Sequence, residues 1–475
     1  MTGSNTVARN AAWLIAQPIL VGIVSIVVTA LVARDLGTAQ YGTLLLLLSY
    51  AALFSQIGNL GLRPYSVREI AANRERAVEI VSDMIVLRSL LAILAMVIAV
   101  VFLAFGKPSL SSPLIAALFA LILFSALTGC FTDGLQGAEY MREVATSFAV
   151  SGVLTQLACI AALVFHFGLL GIVAAYTFGA LVLLVMLWFQ FSRKTGRLNP
   201  RIPGTHLFIH IRLSWAFLLQ SVVGAIRGRI DLILINAFMG AYAAGIYGSA
   251  MVLFQRLDLI QDGIATALFS RVAYLHGKSS LELTQLVRGA VKVVLVISTP
   301  MAIGLLAVST DVIAMMFGGQ YVDSGAILAI LGIAIPFTFT GGVMFNVLRA
   351  MELEKVILRC SVLATVVTMA LLVGGIYLSG VRGAAVAFVV GAILFTALLV
   401  LEYVRRGGTP WLHRDLLHIA IANAAMGTVL WLISDFHLAI KVVVAMVVYA
   451  STARLLGLVT SQMIRTMFAA NKPDA

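Results

Sequence analysis

Charged residues are scarce in this 475-residue chain. Lys, Arg, Asp and Glu make up 11% of it, whereas hydrophobic residues make up 61%. Soluble domains are about 25% charged and roughly 45–50% apolar, so the composition excludes a soluble globular protein. The apolar runs are about 20 residues long, enough for a helix to cross some 30 Å of hydrocarbon, whereas a membrane barrel would show shorter, alternating segments. The sequence predicts an all-α polytopic membrane protein.

Cysteines and long connecting segments are also few. The three cysteines, Cys130, Cys159 and Cys360, lie in or beside apolar runs and lack the spacing of metal ligands or of a disulfide framework. We expect them to be packing residues. The short segments between the apolar runs leave no room for an extramembrane catalytic domain. The sequence therefore indicates a protein that is not an enzyme, with no cofactor, no metal ion and no nucleic-acid partner.

About fourteen apolar runs are candidate membrane-spanning helices. The first run is longer than the apolar region of a secretory signal and ends in no cleavage motif, so we expect it to be retained. The third has Arg88 close to its start. The predicted spans lie near residues 11–33, 42–62, 84–105, 110–131, 145–165, 170–191, 214–236, 247–268, 288–308, 325–347, 357–378, 383–403, 416–434 and 439–458.

The net charge of +12 is distributed unevenly along the chain. If the spans alternate in direction, most of the 32 Lys and Arg residues fall on the side that holds the N-terminus. The opposite loops hold only Arg34, Lys107, Arg382 and Lys441. Because cytoplasmic loops carry the excess of Lys and Arg, both termini are predicted to be cytoplasmic. The expected location is the inner (plasma) membrane.

The two halves of the chain resemble each other. Trp13 opens the first predicted span and Trp215 opens the seventh, and further matches follow in the same order at an almost constant offset. Several ordered matches indicate an internal repeat. The repeated segments are LGTAQYG (36–42) with MGAYAAGIYG (239–248), aligned with a three-residue insertion, QGAEYMREV (136–144) with LRAMELEKV (348–356), and GLLGIVAAYTFG (168–179) with GVRGAAVAFVVG (380–391).

The repeat predicts the domain organisation. Each copy has six spans, an even number, so both copies enter the membrane with the same polarity. This predicts two six-helix lobes related by an axis along the membrane normal, enclosing a central cavity. The predicted parts are an N-terminal lobe over 1–192, a basic cytoplasmic linker over 193–213, a C-terminal lobe over 214–404, and two additional helices with a cytoplasmic tail over 405–475.

Six charged residues fall near the middle of two predicted spans in the second half. An unpaired Arg or Asp at that depth costs roughly 2.5–3.5 kcal/mol, so these side chains must face protein or water. At aligned positions the first half has the neutral residues Ser49 and Gln56, so the buried charge is expected in the second lobe. The six residues are Arg227, Arg229 and Asp231 in the seventh span and Arg256, Asp258 and Asp262 in the eighth.

Two interpretations of this charged cluster stay open. The opposite charges can neutralise each other as structural pairs, Arg227 with Asp231 and Arg256 with Asp258. Alternatively, the arginines line a hydrated cavity and bind phosphate oxygens, while the acids tune them or carry a coupling ion. Two arginines nearer the entry side could extend such a patch, although Arg63 could equally contact lipid headgroups. The candidate substrate-binding residues are Arg227, Arg229, Arg256, Arg88 and Arg63, and the candidate ion-coupling or Arg-pairing residues are Asp231, Asp258 and Asp262.

Five segments, by their order and spacing, carry a family resemblance that spans nearly the whole chain. They are RNAAWLIAQPI (9–19), LGTAQYG (36–42), NLGLRPYSVREIA (59–71), GRIDLILIN (228–236) and GIYG (245–248). Together they resemble the polysaccharide and oligosaccharidyl-lipid flippase family of the multidrug/oligosaccharidyl-lipid/polysaccharide transporter superfamily. Family members often carry an acidic residue where this chain has Asn59, so a coupling role is not expected there.

The resemblance implies a flippase for undecaprenyl-diphosphate-linked oligosaccharide repeat units of O-antigen, capsule or exopolysaccharide. It implies alternating access, in which a cationic central cavity holds the diphosphate and the glycan while the lipid tail stays in the bilayer. The implied partners are the lipid-linked oligosaccharide, membrane lipids, H⁺ or Na⁺ as a candidate coupling ion, and polysaccharide polymerase machinery.

Two other functions compete with this one. A multidrug/cation antiporter of the same superfamily would favour acidic and aromatic cavity linings and twelve spans, so the excess of Arg and the terminal helix pair argue against it. A membrane-embedded glycan polymerase or ligase would need acid–base residues on a large outer loop. The predicted outer loops are short and offer little beyond Asp311, Asp323 and Asp435.

Overall fold

A computed structural model describes residues 3–59, 62–106, 110–196, 206–257, 261, 268–269, 271–409 and 413–458. These residues form helices joined by short turns, and this part of the chain contains no β-strand. Helices suit a membrane because each satisfies its own backbone hydrogen bonds. They are α1 (Gly3–Asn59), α2 (Leu62–Ala72), α3 (Ala77–Gly106), α4 (Ser112–Gly137), α5 (Met141–Val164), α6 (Gly168–Lys194), α7 (His206–Arg256), α8 (Ser280–Phe317), α9 (Asp323–Gly332), α10 (Ile335–Ala350), α11 (Glu354–Arg405), α12 (His413–Leu432) and α13 (Leu438–Leu455), with 3₁₀ helices at Arg74–Arg76 and Gly319–Tyr321.

The described residues contain ten helices long and apolar enough to cross a membrane, or eleven if α9 and α10, bent by 44°, form one span. The protein is therefore a multi-pass membrane protein. Three long helices each cover two predicted spans and bend between them, α1 at Gly37, α7 at Gly240 and α11 at Ser379–Gly380. The figure of fourteen spans stays a prediction.

The contacts divide the chain into two compact units, Met1–Gly245 and Ile246–Ala475. We call them unit 1 and unit 2. The boundary between them lies inside α7, so one continuous helix contributes to both units. The predicted lobes over 1–192 and 214–404 stay a prediction.

Unit 1 has a core in which four helices meet. Ile70 of α2, Leu87 of α3, Leu135 of α4 and Phe191 of α6 are all buried in it. In lipid such a core is stabilised by close packing, because hydrocarbon tails are as apolar as the side chains. The helix α4 has a proline in its first turn, a position that proline favours, and continues well beyond residue 131, where the span was predicted to end.

The bends of α1 and α7 depend on glycine. Gly37 has φ 72° and ψ 170°, and Gly240 has φ 82° and ψ 177°. A side chain at either position would be strained, because L-residues rarely adopt this conformation. Both glycines belong to the repeated segments identified in the sequence, so the two copies bend in the same way.

Just after these bends, α1 and α7 touch backbone to backbone. A Cβ on Gly42 would overlap the Ala241 carbonyl oxygen and lie 2.7 Å from the Gly245 nitrogen. Conversely, a Cβ on Gly245 would overlap the Thr38 carbonyl oxygen and lie 2.9 Å from the Thr38 carbonyl carbon. Counted from the bends, Gly42 matches Gly245 and Thr38 matches Ala241. The contact is therefore reciprocal, as in a two-fold interface, and it pairs these segments without the three-residue insertion used in the sequence alignment.

In unit 2 the terminal helices α12 and α13 pack along α8. Apolar contacts join them, and four polar contacts are spread along the length of α8 at residues 292, 296, 299 and 311. This spread fixes the helix pair to α8 over several turns. The polar contacts are Lys292 with Asp415 at 2.6 Å, the Tyr449 hydroxyl donating to the Val296 carbonyl at 2.7 Å, the Asn423 amide donating to Thr299 Oγ1 at 2.8 Å, and Lys441 Nζ with Asp311 Oδ2 at 2.7 Å.

Candidate functional site

Unit 1 contains a cavity of about 700 Å³ among its apolar helices. Small-molecule sites typically occupy about 300–1,000 Å³, so the cavity is large enough for a ligand. Its walls come from α1 to α6. The lining residues are Leu48, Ala51, Ala52, Ser55, Gln56, Asn59, Arg63, Arg88, Leu121, Ser125, Thr128, Gly129, Thr132, Asp133, Phe148, Ala180 and Leu183.

A buried ion pair forms one wall of this cavity. Arg88 lies on α3, about 16 Å along the helix from Ala77, and only 1% of its surface is exposed. Its Nη2 donates to Oδ2 of Asp133 on α4 at 2.5 Å, and Asp133 is 2% exposed. Neither charge reaches solvent. Because an isolated charge in this environment would cost several kcal/mol, each residue requires the other.

The second carboxylate oxygen of Asp133 faces Arg63. The Arg63 Nε lies 3.7 Å from Asp133 Oδ1, and its Nη2 donates to the side-chain oxygen of Gln136 at 3.0 Å. The Arg63 side chain is 63% exposed. Asp133 therefore holds one arginine inside the cavity and one at its exposed edge.

One hydrogen-bond donor of Arg88 has no partner among the described residues. Its buried Nε–H donates no hydrogen bond to any residue that the structure describes. The guanidinium lies beside Gly129 of α4, where a Cβ would overlap Arg88 Nη1 and lie 2.8 Å from Oδ1 of Asn59. The absence of a side chain at 129 lets Arg88 of α3 and Asn59 of α1 approach the same point on the cavity wall.

Polar side chains without charge surround this pair. Gln56 and Asn59 each carry an amide that can donate and accept, and Ser125 and Thr128 add hydroxyls. Within the described part of the chain, no hydrogen bond engages the amides of Gln56 and Asn59. The cavity wall thus offers donors and acceptors to a bound molecule.

The other predicted cationic residues do not line this cavity in the part of unit 1 that the structure describes. Arg227 and Arg229 are exposed on α7 within unit 1, and Arg256 ends α7 within unit 2, where it is partly buried. None of the three is among the residues that line the cavity in the described part of unit 1. Arg227 and Arg256 both have interaction partners.

Of the three predicted acids, the structure describes Asp231. It is partly buried, has an interaction partner, and its Oδ1 also accepts a hydrogen bond from the Leu232 backbone N–H at 2.8 Å. Asp258 and Asp262 lie outside the described residues. Their predicted pairing or coupling role stays a prediction.

The sequence analysis missed Asp133, the most buried acid of unit 1. The predicted fourth span ended at residue 131, which left Asp133 in a loop, whereas α4 continues to Gly137. The second lobe was expected to be the charged one, and the structure describes a buried ion pair in unit 1 as well. The segment GCFTDGLQG (129–137) contained a signal that the helix continues. Asp133 follows Cys130, Phe131 and Thr132, and none of these is a turn residue that would end the helix before it.

Comparison with known families gives one match over more than half of the chain. The family model described as polysaccharide biosynthesis protein matches residues 7–274. Among curated proteins, the putative O-antigen transporter of Shigella flexneri is 23% identical over 432 residues, which cover 84% of this chain and 98% of that protein.

Among the solved structures that share the fold, two serve as examples. The lipid II flippase MurJ in an inward closed conformation aligns with a TM-score of 0.77 and 16% identity, covering 94% of this chain and 98% of that one. An inward-facing multidrug resistance MATE family transporter of the MOP superfamily aligns with a TM-score of 0.66 and 14% identity, covering 83% and 98%. At these identities the likeness establishes the fold alone.

Proposed function

Because this chain belongs to the polysaccharide biosynthesis protein family of membrane transporters, and is not an enzyme, we propose that it is a flippase for lipid-linked oligosaccharides. The substrate would be an undecaprenyl-diphosphate-linked repeat unit of O-antigen, capsule or exopolysaccharide. The protein would move it from the cytoplasmic to the periplasmic leaflet of the inner membrane, with both termini cytoplasmic. The S. flexneri relative is named as an O-antigen transporter, which supports this substrate class.

The observation that carries the proposal is a cavity with polar and charged groups in its wall, inside a bundle of apolar helices. A sugar headgroup cannot cross hydrocarbon unaided, because each unsatisfied polar group costs several kcal/mol there. The unit 1 cavity supplies hydrogen-bonding groups within the membrane-spanning helices, including the buried Arg88 and the amides of Gln56 and Asn59. Such a lining lowers the cost of carrying a headgroup while the lipid tail stays in the bilayer.

The arginines would hold the diphosphate. Arg227 and Arg229 are exposed on α7, and Arg63 is exposed at the edge of the unit 1 cavity. Guanidinium groups bind phosphate oxygens in a bidentate manner, and a ligand can reach arginines that are exposed. Arg63, Arg227 and Arg229, all in unit 1, would form a cationic patch, and transport would proceed by alternating access. The phosphate-binding roles predicted for Arg256 and Arg88 stay predictions.

The acids would either pair with these arginines or carry the coupling ion. Asp231 lies one helical turn from Arg227, a spacing at which side chains on one helix face meet. H⁺ or Na⁺ would bind at Asp231, Asp258 or Asp262. The membrane potential assists outward movement of the diphosphate by about 2.3 kcal/mol per charge per 100 mV, because the cell interior is negative. Polysaccharide polymerase machinery would take the unit on the outer side.

The test combines a deletion strain with reconstituted protein. Deleting the gene should cause a lipid-linked oligosaccharide to accumulate on the cytoplasmic side, detectable by extraction and mass spectrometry. Purified full-length protein in vesicles should then move that extracted lipid between leaflets, scored by its accessibility to an added glycosidase. No accumulation and no transfer would overturn the proposed function.

A multidrug/cation antiporter is the second candidate, because the fold also matches the MATE family transporter. The described cavity of unit 1 contains one acid, Asp133, which is already paired with Arg88. A cationic drug would have to compete with that arginine. Drug susceptibility of the deletion strain separates the two functions, since a flippase should leave it unchanged.

A further inference from the structure

The unit 1 cavity is close to electrically neutral in its interior. Arg88 and Asp133 cancel each other at 2.5 Å, and the remaining positive charge of Arg63 lies at the exposed edge. A diphosphate placed inside would approach the Asp133 carboxylate and would find Arg88 already engaged. Like charges disfavour that arrangement. The interior therefore suits a polar, uncharged group better than a phosphate.

The donors and acceptors that remain available match the chemistry of a sugar. Sugar hydroxyls both donate and accept, and so do the side chains of Gln56, Asn59, Ser125 and Thr128. The buried Nε–H of Arg88 donates to no described residue, although buried donors are nearly always satisfied. Arg88 lines the cavity, and a ligand oxygen that reached this donor would satisfy it.

The apolar part of the lining fits the same kind of ligand. Phe148, Leu121 and Leu183 line the cavity together with the amides. Sugar rings have C–H faces that pack on aromatic and aliphatic side chains, while their hydroxyl edges need polar partners. A cavity with both kinds of wall and a volume of about 700 Å³ accommodates a small oligosaccharide.

We infer that the unit 1 cavity is a glycan subsite, which binds the sugars of the lipid-linked oligosaccharide while the diphosphate lies outside it. Gln56 and Asn59 would be specificity-determining residues, and Arg88 would donate through Nε to a sugar oxygen. Asp133 is a positioning residue, because it fixes the guanidinium through Nη2, while Nε has no partner among the described residues. This inference rests on the proposed function and divides the substrate between two locations.

The test measures binding of the two parts of the substrate separately. The lipid-linked glycan that accumulates in the deletion strain is cleaved by mild acid to give the released glycan, and synthetic undecaprenyl diphosphate serves as the sugar-free part. Each is titrated by calorimetry into full-length protein in lipid nanodiscs. The variants are Gln56→Ala/Asn59→Ala and Arg88→Lys, which keeps the charge beside Asp133 but lacks Nε. Gln190→Ala, a partly buried amide on α6 outside the cavity lining, is the matched control.

Both cavity variants should bind the released glycan about tenfold more weakly, the effect of losing one or two hydrogen bonds. They should bind undecaprenyl diphosphate within about twofold of the unaltered protein, and Gln190→Ala should bind both ligands normally. Unchanged glycan binding by the cavity variants would overturn the subsite, as would an equal loss for undecaprenyl diphosphate. Either result leaves the leaflet-transfer assay positive, whereas failure of the proposed function makes that assay negative for the unaltered protein.

Discussion

Arg88 and Asp133 lie 45 residues apart in sequence and are joined by a hydrogen bond of 2.5 Å in the interior of unit 1. Both side chains are almost fully buried. The pair connects α3 to α4 and forms part of the cavity wall. Buried ion pairs of this kind make removal of one partner costly, whereas removal of both can be nearly neutral. This asymmetry makes the pair testable.

Arg88→Gln or Asp133→Asn should lower the free energy of unfolding by roughly 3–5 kcal/mol, because each leaves a buried charge without its partner. The double variant Arg88→Leu/Asp133→Leu should recover most of that loss. Thermal unfolding of purified protein in detergent measures all three. The exposed pair Arg76 with Glu79 is the control, since Arg76→Gln should leave stability essentially unchanged. A double variant as unstable as the single ones would contradict this account.

Gly42→Ala and Gly245→Ala should both destabilise the protein and reduce leaflet transfer. Each Cβ would meet backbone atoms of the other helix, which cannot move aside as a flexible side chain would. The two substitutions should have similar effects because the contact is reciprocal. Gly22→Ala on α1 has no neighbour within 4 Å and should be neutral or slightly stabilising. Thermal unfolding and the transfer assay together test the contact, and a tolerated alanine at Gly42 would show that α1 and α7 do not approach this closely.

Tyr449→Phe should reduce stability by about 1 kcal/mol, because it removes the hydroxyl that donates to the Val296 carbonyl and anchors α13 to α8. The ring and its packing are kept. Tyr242→Phe on α7 is the matched control, since that tyrosine is 52% exposed and its loss of a hydroxyl should have little effect. Equal melting temperatures for the two variants would show that the terminal helices are not held by this contact.

Replacing Arg227, Arg229 and Arg256 together with Gln should abolish translocation and leave membrane insertion intact, because the three arginines are proposed to bind the diphosphate. Replacing Arg142, Arg349 and Arg382 with Gln removes the same charge elsewhere and should allow transfer. Membrane fractionation checks insertion and glycan export checks translocation. Full export by the first triple variant would remove these residues from the substrate path.

Some features of the fold followed from the sequence because they depend on local composition. Apolar runs of membrane length predicted the helices, and the glycines at 37 and 240 fell between predicted spans where α1 and α7 bend. The repeat aligned the two glycine segments, and the structure adds that Gly42 and Gly245 each contact the other segment. The terminal helix pair was also predicted, but its polar contacts along α8 were not.

The candidate site was only partly predictable. Arg63 and Arg88 were selected because they could extend the cationic patch toward the entry side, and the structure brings both to one carboxylate, that of Asp133. Asp133 was missed because hydropathy marks where an apolar run weakens, whereas a helix continues as long as its backbone bonds and packing are satisfied. The neutral amides of Gln56 and Asn59 gave no signal as binding groups, since an amide in a span is as often a packing residue.

The sequence by itself determined that this chain is a helical membrane protein with an internal repeat, and it indicated which family the chain resembles. It could do so because hydropathy, charge and motif order are properties of contiguous segments. Only the tertiary structure decided which charges neutralise each other and which groups share a cavity. These contacts depend on how helices from distant parts of the chain pack side by side. The sequence of one helix does not determine which of its faces contacts which neighbouring helix.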